Sequence, residues 1–358
     1  MLDSTLLRGD QARLAIEISS LAMLGRDEWL EPFSERVVEP DLAIIDPHHH
    51  LWDRLGGTRY FLDELLLDTT GHNVRQTVFV ECNSMYRADA TDPLKCVGET
   101  EFVRGIAAQS NHGQYGDMRV ATGIVGAADL LLGAEVEQVL EAHLAASPET
   151  FRGIRYKTAW ADETVGLIPG GAKQDGLMNT REFAEGFAML SRYDMSFDAW
   201  LLHPQLEELA ALAGKFPDTT IILNHLGGPI GMGRYSENRA DVFDQWKRGL
   251  ASVASHENVV LKVGGIQMPI NGFGWHERET PPTSDDLVEA NREWYLTAIE
   301  LFGPDRCMFE SNFPVERQSC SYTALWNQFK KLSGSFSSTE RAAMMHDTAM
   351  RVYRLDAV

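Results

Sequence analysis

The sequence predicts a (β/α)8 TIM barrel with a helical N-terminal extension. Three observations carry that prediction. Eight short apolar runs recur along the chain, and helix-like segments alternate with them. No G-x-G-x-x-G follows the first run, so an open dinucleotide-binding sheet lacks its main signature.

The runs are Leu42–Asp46, Gln76–Glu81, Arg119–Val125, Gly153–Thr158, Met195–Trp200, Thr219–Asn224, Asn258–Val263 and Arg306–Glu310. Each is short and rich in β-branched residues, and each is followed by a loop. Amphipathic segments with apolar residues three and four apart follow, as in Gly133–Ala146, Thr180–Tyr193, Pro204–Phe216 and Ser284–Gly303. The last opens with Ser284 and Asp285 as cap candidates and stops at Gly303. Residues 1–40 read as the helical extension and 41–358 as the barrel. The segments Tyr86–Pro93 and Gln267–Pro282 are long enough to be lids.

A hydrophobic content of 44% with 9% aromatic residues is that of a soluble globular chain. The formal charge of −20 and pI near 4.9 argue against nucleic acid or an anionic membrane as partner. Charged residues interrupt the apolar positions of the first thirty residues, so no signal-peptide core is expected, and no segment has the apolar length of a membrane span. The four cysteines (Cys82, Cys96, Cys307 and Cys320) form no C-x-x-C pair, which suits reduced thiols in a cytoplasmic protein. Cys82, at a strand end, is a candidate nucleophile without a supporting local signature.

In a barrel of this kind the site lies at the C-terminal ends of the strands. The first run leads into "DPHHHLWD", where alternation points His48 and His50 one way and His49 the other. Two imidazoles side by side can ligate a divalent ion, or can serve a polar loop. His203 lies just beyond the fifth run and His225 at the end of the sixth, in "LNHLGGP"; the eighth ends in "MFESNFP". Cations gather at the same ends. Arg155 and Lys157 share one face of the fourth run, Lys262 lies in the seventh, and Arg87 follows the second. They can grip a substrate carboxylate or pair with the many acids. Aromatic residues in these loops, Tyr86 and Trp200 among them, suit a pocket for a flat ring.

The stretches "IIDPHHHLWD", "NHLGGP", "KVGG" and "CMFESNFPVE" resemble the amidohydrolase superfamily, in the branch of the 2-pyrone-4,6-dicarboxylate hydrolases and sugar-acid lactonases. The resemblance runs from Leu42 to Leu355. It implies a distorted (β/α)8 barrel and hydrolysis of a lactone or related cyclic ester; the strand-end cations and aromatics point to a small, anionic or ring-containing substrate. It implies either one divalent metal, zinc first, at His48, His50 and the strand-five histidine His203, or metal-free operation as in the pyrone-dicarboxylate hydrolases. Where the family ends strand eight in G-S-D-x-P, this chain has Asn312 for the aspartate and Glu310 for the glycine. An amide cannot accept a proton from water. Glu310, two residues earlier and on the same side as Asn312 in an extended strand, is the expected base, or else a buried charge paired with an arginine or lysine. Asn312 would position water or substrate, and His48, His50, His203 and His225 complete the catalytic set. The same branch holds metal-dependent decarboxylases of aromatic acids, and a non-catalytic ligand-binding relative is the third reading. A homo-oligomer is compatible with the sequence.

Overall fold

Eight strands hydrogen-bond side by side in chain order: β1 Ala43–His49, β2 Asn73–Val80, β3 Arg119–Ala127, β4 Phe151–Lys157, β5 Ser196–Trp200, β6 Ile221–Leu223, β7 Val259–Val263 and β8 Cys307–Phe309. The seven ladders between them are all parallel. A helix follows each strand: α1 Leu62–Asp68, α2 Val97–Asn111, α3 Glu137–Ala146, α4 Arg181–Arg192, α5 Leu206–Lys215, α6 Arg239–Ala254, α7 Ser284–Phe302 and α8 Tyr322–Leu332. This is the predicted (β/α)8 barrel. The computed structural model describes residues 27–358 except 55–58, 89–92, 163–164, 166–167 and 169–170. Most of the expected N-terminal extension and the middle of the first expected lid therefore lie outside the described residues. No helix among them is long and apolar enough to cross a membrane.

The strands and helices bury a continuous apolar layer between them, while a second cluster fills the barrel's floor. Ile45, Val78, Val80, Val125, Ile222, Val260 and Met308 project inward from six strands and meet Tyr353 and Leu355 of the C-terminal tail. The barrel does not close by a regular β1–β8 ladder. The seam is joined at its C-terminal end, where Asn312 N donates to His48 O (2.9 Å) and His50 N to Phe313 O (2.7 Å). Asp46 strengthens it by accepting from Ser311 N (3.0 Å) and Tyr322 OH (3.1 Å). Burial raises the Asp46 carboxyl to about 6, and these donors oppose the rise. Lower down, the segment Ala343–Val352 packs against both strands.

The cap of α7 differs from expectation. Thr283 is the N-cap, its Oγ1 accepting from Asp286 N (3.1 Å) while the Asp286 carboxylate accepts from Thr283 N (2.8 Å). That reciprocal pair satisfies two otherwise orphaned donors. Ser284 and Asp285 sit inside the first turn, and Ser284 is held instead by Glu35.

Candidate active site

The mouth is built from strand ends, beginning with β1. The ladder shifts register between Asp46 and His49, and this irregularity resets the alternation at Pro47. Ile45 faces the floor cluster, and His48 and His50 meet the mouth. His49 turns the other way, its Nε2 2.8 Å from Thr77 Oγ1. The alternation expected of the three histidines is the one observed.

Glu310 is the centre of the mouth. Its Oε1 lies 2.7 Å from His225 Nδ1 and accepts from His225 N (3.0 Å), and its Oε2 lies 2.7 Å from His48 Nδ1. All three residues are buried. The expected alternative partner, an arginine or lysine, is not what holds this carboxylate. Two glycines after β7 make the approach possible. A Cβ on Gly264 would meet Glu310 O at 2.4 Å, and one on Gly265 would meet His225 Nδ1 at 2.1 Å. His225 and Leu226 both have positive φ (54° and 53°), followed by Gly227 and Gly228, also left-handed. This tight turn carries the imidazole back across the mouth.

Behind His48 stands a second charged pair. Lys262 Nζ is 2.7 Å from Asp198 Oδ1 and 3.2 Å from His48 Nδ1. On the other edge of the ring, Arg155 Nη1 is 3.3 Å from His48 Nε2. Burial first, and then Lys262, hold His48 well below the ordinary histidine range; burial and Arg155 do the same to His50. Both imidazoles are neutral at neutral pH. Arg155 donates through Nε to Glu81 Oε1 (2.7 Å) and through Nη2 to the Glu81 carbonyl, and Lys157 Nζ lies 3.2 Å from Glu81 Oε2. Burial pushes the Glu81 carboxyl up, but Lys157 and Arg155 outweigh it and leave the group low. Among these cations Lys157 is the one with exposure, 18% against 6% for Arg155 and 0% for Lys262. It is the one a ligand can reach directly.

His50 and His203 have fixed tautomers. His50 Nδ1 donates to Val80 O (2.8 Å), leaving the Nε2 lone pair toward the Asn312 amide at 3.3 Å. The amide atom at that distance is Asn312 Oδ1. Asn312 itself has φ 53°, so it lies beyond the extended strand in which it was expected. His203 Nδ1 accepts from Ile230 N (3.2 Å), which places the proton on Nε2. That Nε2 is buried with no hydrogen-bond partner among the described residues. Burial lowers the His203 ring to about 4, so it is a neutral donor.

These contacts revise the expected metal set of His48, His50 and His203. The ligand atoms that converge belong to His48, His225 and Glu310, all within 4.8 Å of one another. His203 accepts from backbone on one nitrogen and carries the proton on the other, and His50 Nε2 faces Asn312 Oδ1 outside that convergent group. Two imidazoles and a carboxyl side chain are a donor set suited to zinc or iron. Glu310 Oε2, buried and without a well-directed hydrogen bond, is the atom such an ion would satisfy. The residues fit one divalent ion.

The remaining expected residues divide. Trp200 meets the His225 ring edge-on at 5.1 Å. Tyr86 donates to Asn83 Oδ1 (3.1 Å), and Arg87 is in a half-exposed pair with Glu101 (2.5 Å) away from the histidines' contacts. Burial and Glu99 push the Cys82 thiol well above its ordinary range, so the candidate nucleophile stays protonated. Sequence reasoning missed Glu81 and Asp198. The available signal was an acid in each of the apolar runs "QTVFVE" and "MSFDAW", where a charge survives only with a partner.

An amidohydrolase family model matches residues 45–355. An uncharacterized protein of Sinorhizobium fredii, y4mH, is 32% identical over 340 residues, covering 88% of this chain and 99% of its own. An L-fucono-1,5-lactonase of Burkholderia multivorans is 27% identical over 175 residues, 49% of this chain and 56% of its own. A crystal structure of an amidohydrolase from B. multivorans with bound zinc matches with a TM-score of 0.68 at 22% identity, covering 88% of this chain and 100% of that one. With a match spanning every barrel strand but the first two residues of β1, this chain belongs to the amidohydrolase family.

Proposed function

We propose that this protein is a hydrolase that opens a lactone or related cyclic ester of a small, carboxylate-bearing molecule by attack of activated water. The observation that carries the reading is Glu310, a buried carboxylate bridging His48 and His225 at 2.7 Å each. A carboxylate held this way can take a proton from water, a contribution of about 10²–10⁴-fold for general-base catalysis. The water oxygen adds to the carbonyl carbon, the proton goes to Glu310, and the carbonyl oxygen becomes an oxyanion. The unpartnered Nε2–H of His203 is the kind of donor such an oxygen would satisfy. When the ring C–O bond breaks, the proton passes from Glu310 by way of an imidazole to the departing alkoxide, and the carboxylate is regenerated. Lys157, backed by Arg155, grips the substrate carboxylate, and Asn312 orients His50.

His48, His225 and Glu310 are the residues that would hold a divalent ion, and the ion would supply carbonyl polarisation and a lower pKa for water. The zinc in the Burkholderia amidohydrolase supports zinc here, and the likeness to L-fucono-1,5-lactonase supports the lactone class.

A lactone panel followed with a pH indicator tests the reading, with metal analysis of the same preparation. Acid release from at least one carboxylate-bearing lactone, without CO2, is the expected result. Release of CO2 from an aromatic acid instead would make the protein a lyase, and silence on both would leave a ligand-binding relative.

A further inference from the structure

The chain's C-terminal tail reaches the reactive mouth from below. Tyr353 follows the last helical turn, Thr348–Val352, and is wholly buried in the floor cluster among Ile45, Val78, Val260 and Met308. A phenol in such a place needs a partner for its hydroxyl. It finds one in Asp198, donating toward Oδ1 at 3.0 Å and Oδ2 at 3.2 Å. Asp198 Oδ1 also takes Asn224 Nδ2 (2.9 Å) and Lys262 Nζ (2.7 Å). For Oδ2, Tyr353 is the hydrogen-bond donor recorded among the described residues. Lys262 Nζ lies 5.4 Å from the centre of the Tyr353 ring, so the ring also shelters the ammonium. The chain of contacts then continues from Lys262 to His48 and from His48 to Glu310.

We propose that Tyr353 is a positioning residue: it fixes Asp198, and through Asp198 the Lys262 ammonium, so that Lys262 stands beside His48 Nδ1 instead of swinging onto the Glu310 carboxylate. An ammonium in the barrel axis has two acids within its reach, Asp198 below and Glu310 above. The side that offers the better-ordered acceptor holds it. Without the phenol hydroxyl, Asp198 loses the donor on Oδ2 and can rotate, and Lys262 is free to neutralise the base. Groups that support a functional residue from behind typically matter about 10–100-fold in metal sites of this kind.

The test is Tyr353→Phe, which removes one oxygen and keeps the ring that fills the floor. Selective 15N-histidine labelling reads the ring nitrogens, with His48 assigned by its loss in His48→Gln and His143, on α3 with its Nε2 toward Ala127 O of β3, as the remote control. The expected result is a melting temperature within a few degrees of wild type, a shift of the His48 ring resonances with His143 unmoved, and about a tenfold fall in kcat at unchanged KM. The kcat arm rests on the hydrolase reading, whereas the ring-nitrogen arm does not. A shifted His48 in a protein that opens no lactone would sink the hydrolase reading and keep this one. Unmoved His48 resonances in a folded Tyr353→Phe protein overturn the proposal, whatever happens to kcat. If Tyr353→Phe does not fold, 3-fluorotyrosine at position 353 keeps the shape and strengthens the donor. It must then move His48 and leave His143 alone, and the opposite outcome overturns the proposal.

Discussion

Glu99 shows how differently two neighbouring buried acids can be treated. Glu81 is answered by two cations, whereas Glu99 spends Oε1 on the backbone N–H groups of Cys82 (3.0 Å) and Ser84 (2.7 Å). Burial and then the Glu81 charge raise its carboxyl to about 7 from an ordinary 4.5. A folded-state pKa above the unfolded one means the native state holds the proton more tightly. The stabilisation is complete below about 4.5 and is lost as pH rises through about 7. Glu99→Gln keeps the accepting oxygen and removes the titration. Its stability relative to wild type in urea unfolding is therefore expected to grow between about pH 5 and pH 8, and a difference independent of pH would contradict this. At this scale the sequence showed which residue types were unusual but not their partners. Glu310 stood out beside Asn312, yet nothing local said that histidines rather than an arginine would flank it. Asp198 and its lysine are 64 residues apart, and only the barrel's curvature brings them together.

Among the elements, the β7 loop does more for the site than its two glycines suggest. Gly265 has φ +68° and lies against His225, so Gly265→Ala strains the backbone and displaces the imidazole from Glu310. A displacement of about 1 Å at a reacting group costs on the order of 10²-fold in rate. That loss in kcat/KM is expected from Gly265→Ala, with a lowered melting temperature, and a variant of wild-type activity would show that His225 does not need this approach. The glycine pair was visible in "KVGG", but its use was not, because the residue it makes room for comes from a different strand. The short β8 explains the other difference. The strand ends at Phe309, and Asn312 enters the left-handed region that asparagine tolerates better than most residues. Strand alternation therefore could not describe how Glu310 and Asn312 are related.

For the whole molecule, the barrel was legible because its signal is repetitive. Eight apolar runs of similar length, each with a helix behind it, leave few topologies, and the strands formed where the runs lie. The closure of that barrel was not legible. It depends on backbone bonds from Asn312 and Phe313 to β1, and on a tail whose Tyr353 is 155 residues from the aspartate it meets. The consequence is a molecule in which distant parts of the chain frame one carboxylate: β1 supplies His48, the turn after β6 supplies His225, and the C-terminal third supplies Glu310 itself. The most direct measurement is the turnover of an opened lactone by Glu310→Gln against wild type, with circular dichroism confirming the fold. The expected result is an intact barrel with kcat lower by about 10²–10⁴-fold. Turnover close to wild type in the folded Glu310→Gln protein would contradict the account.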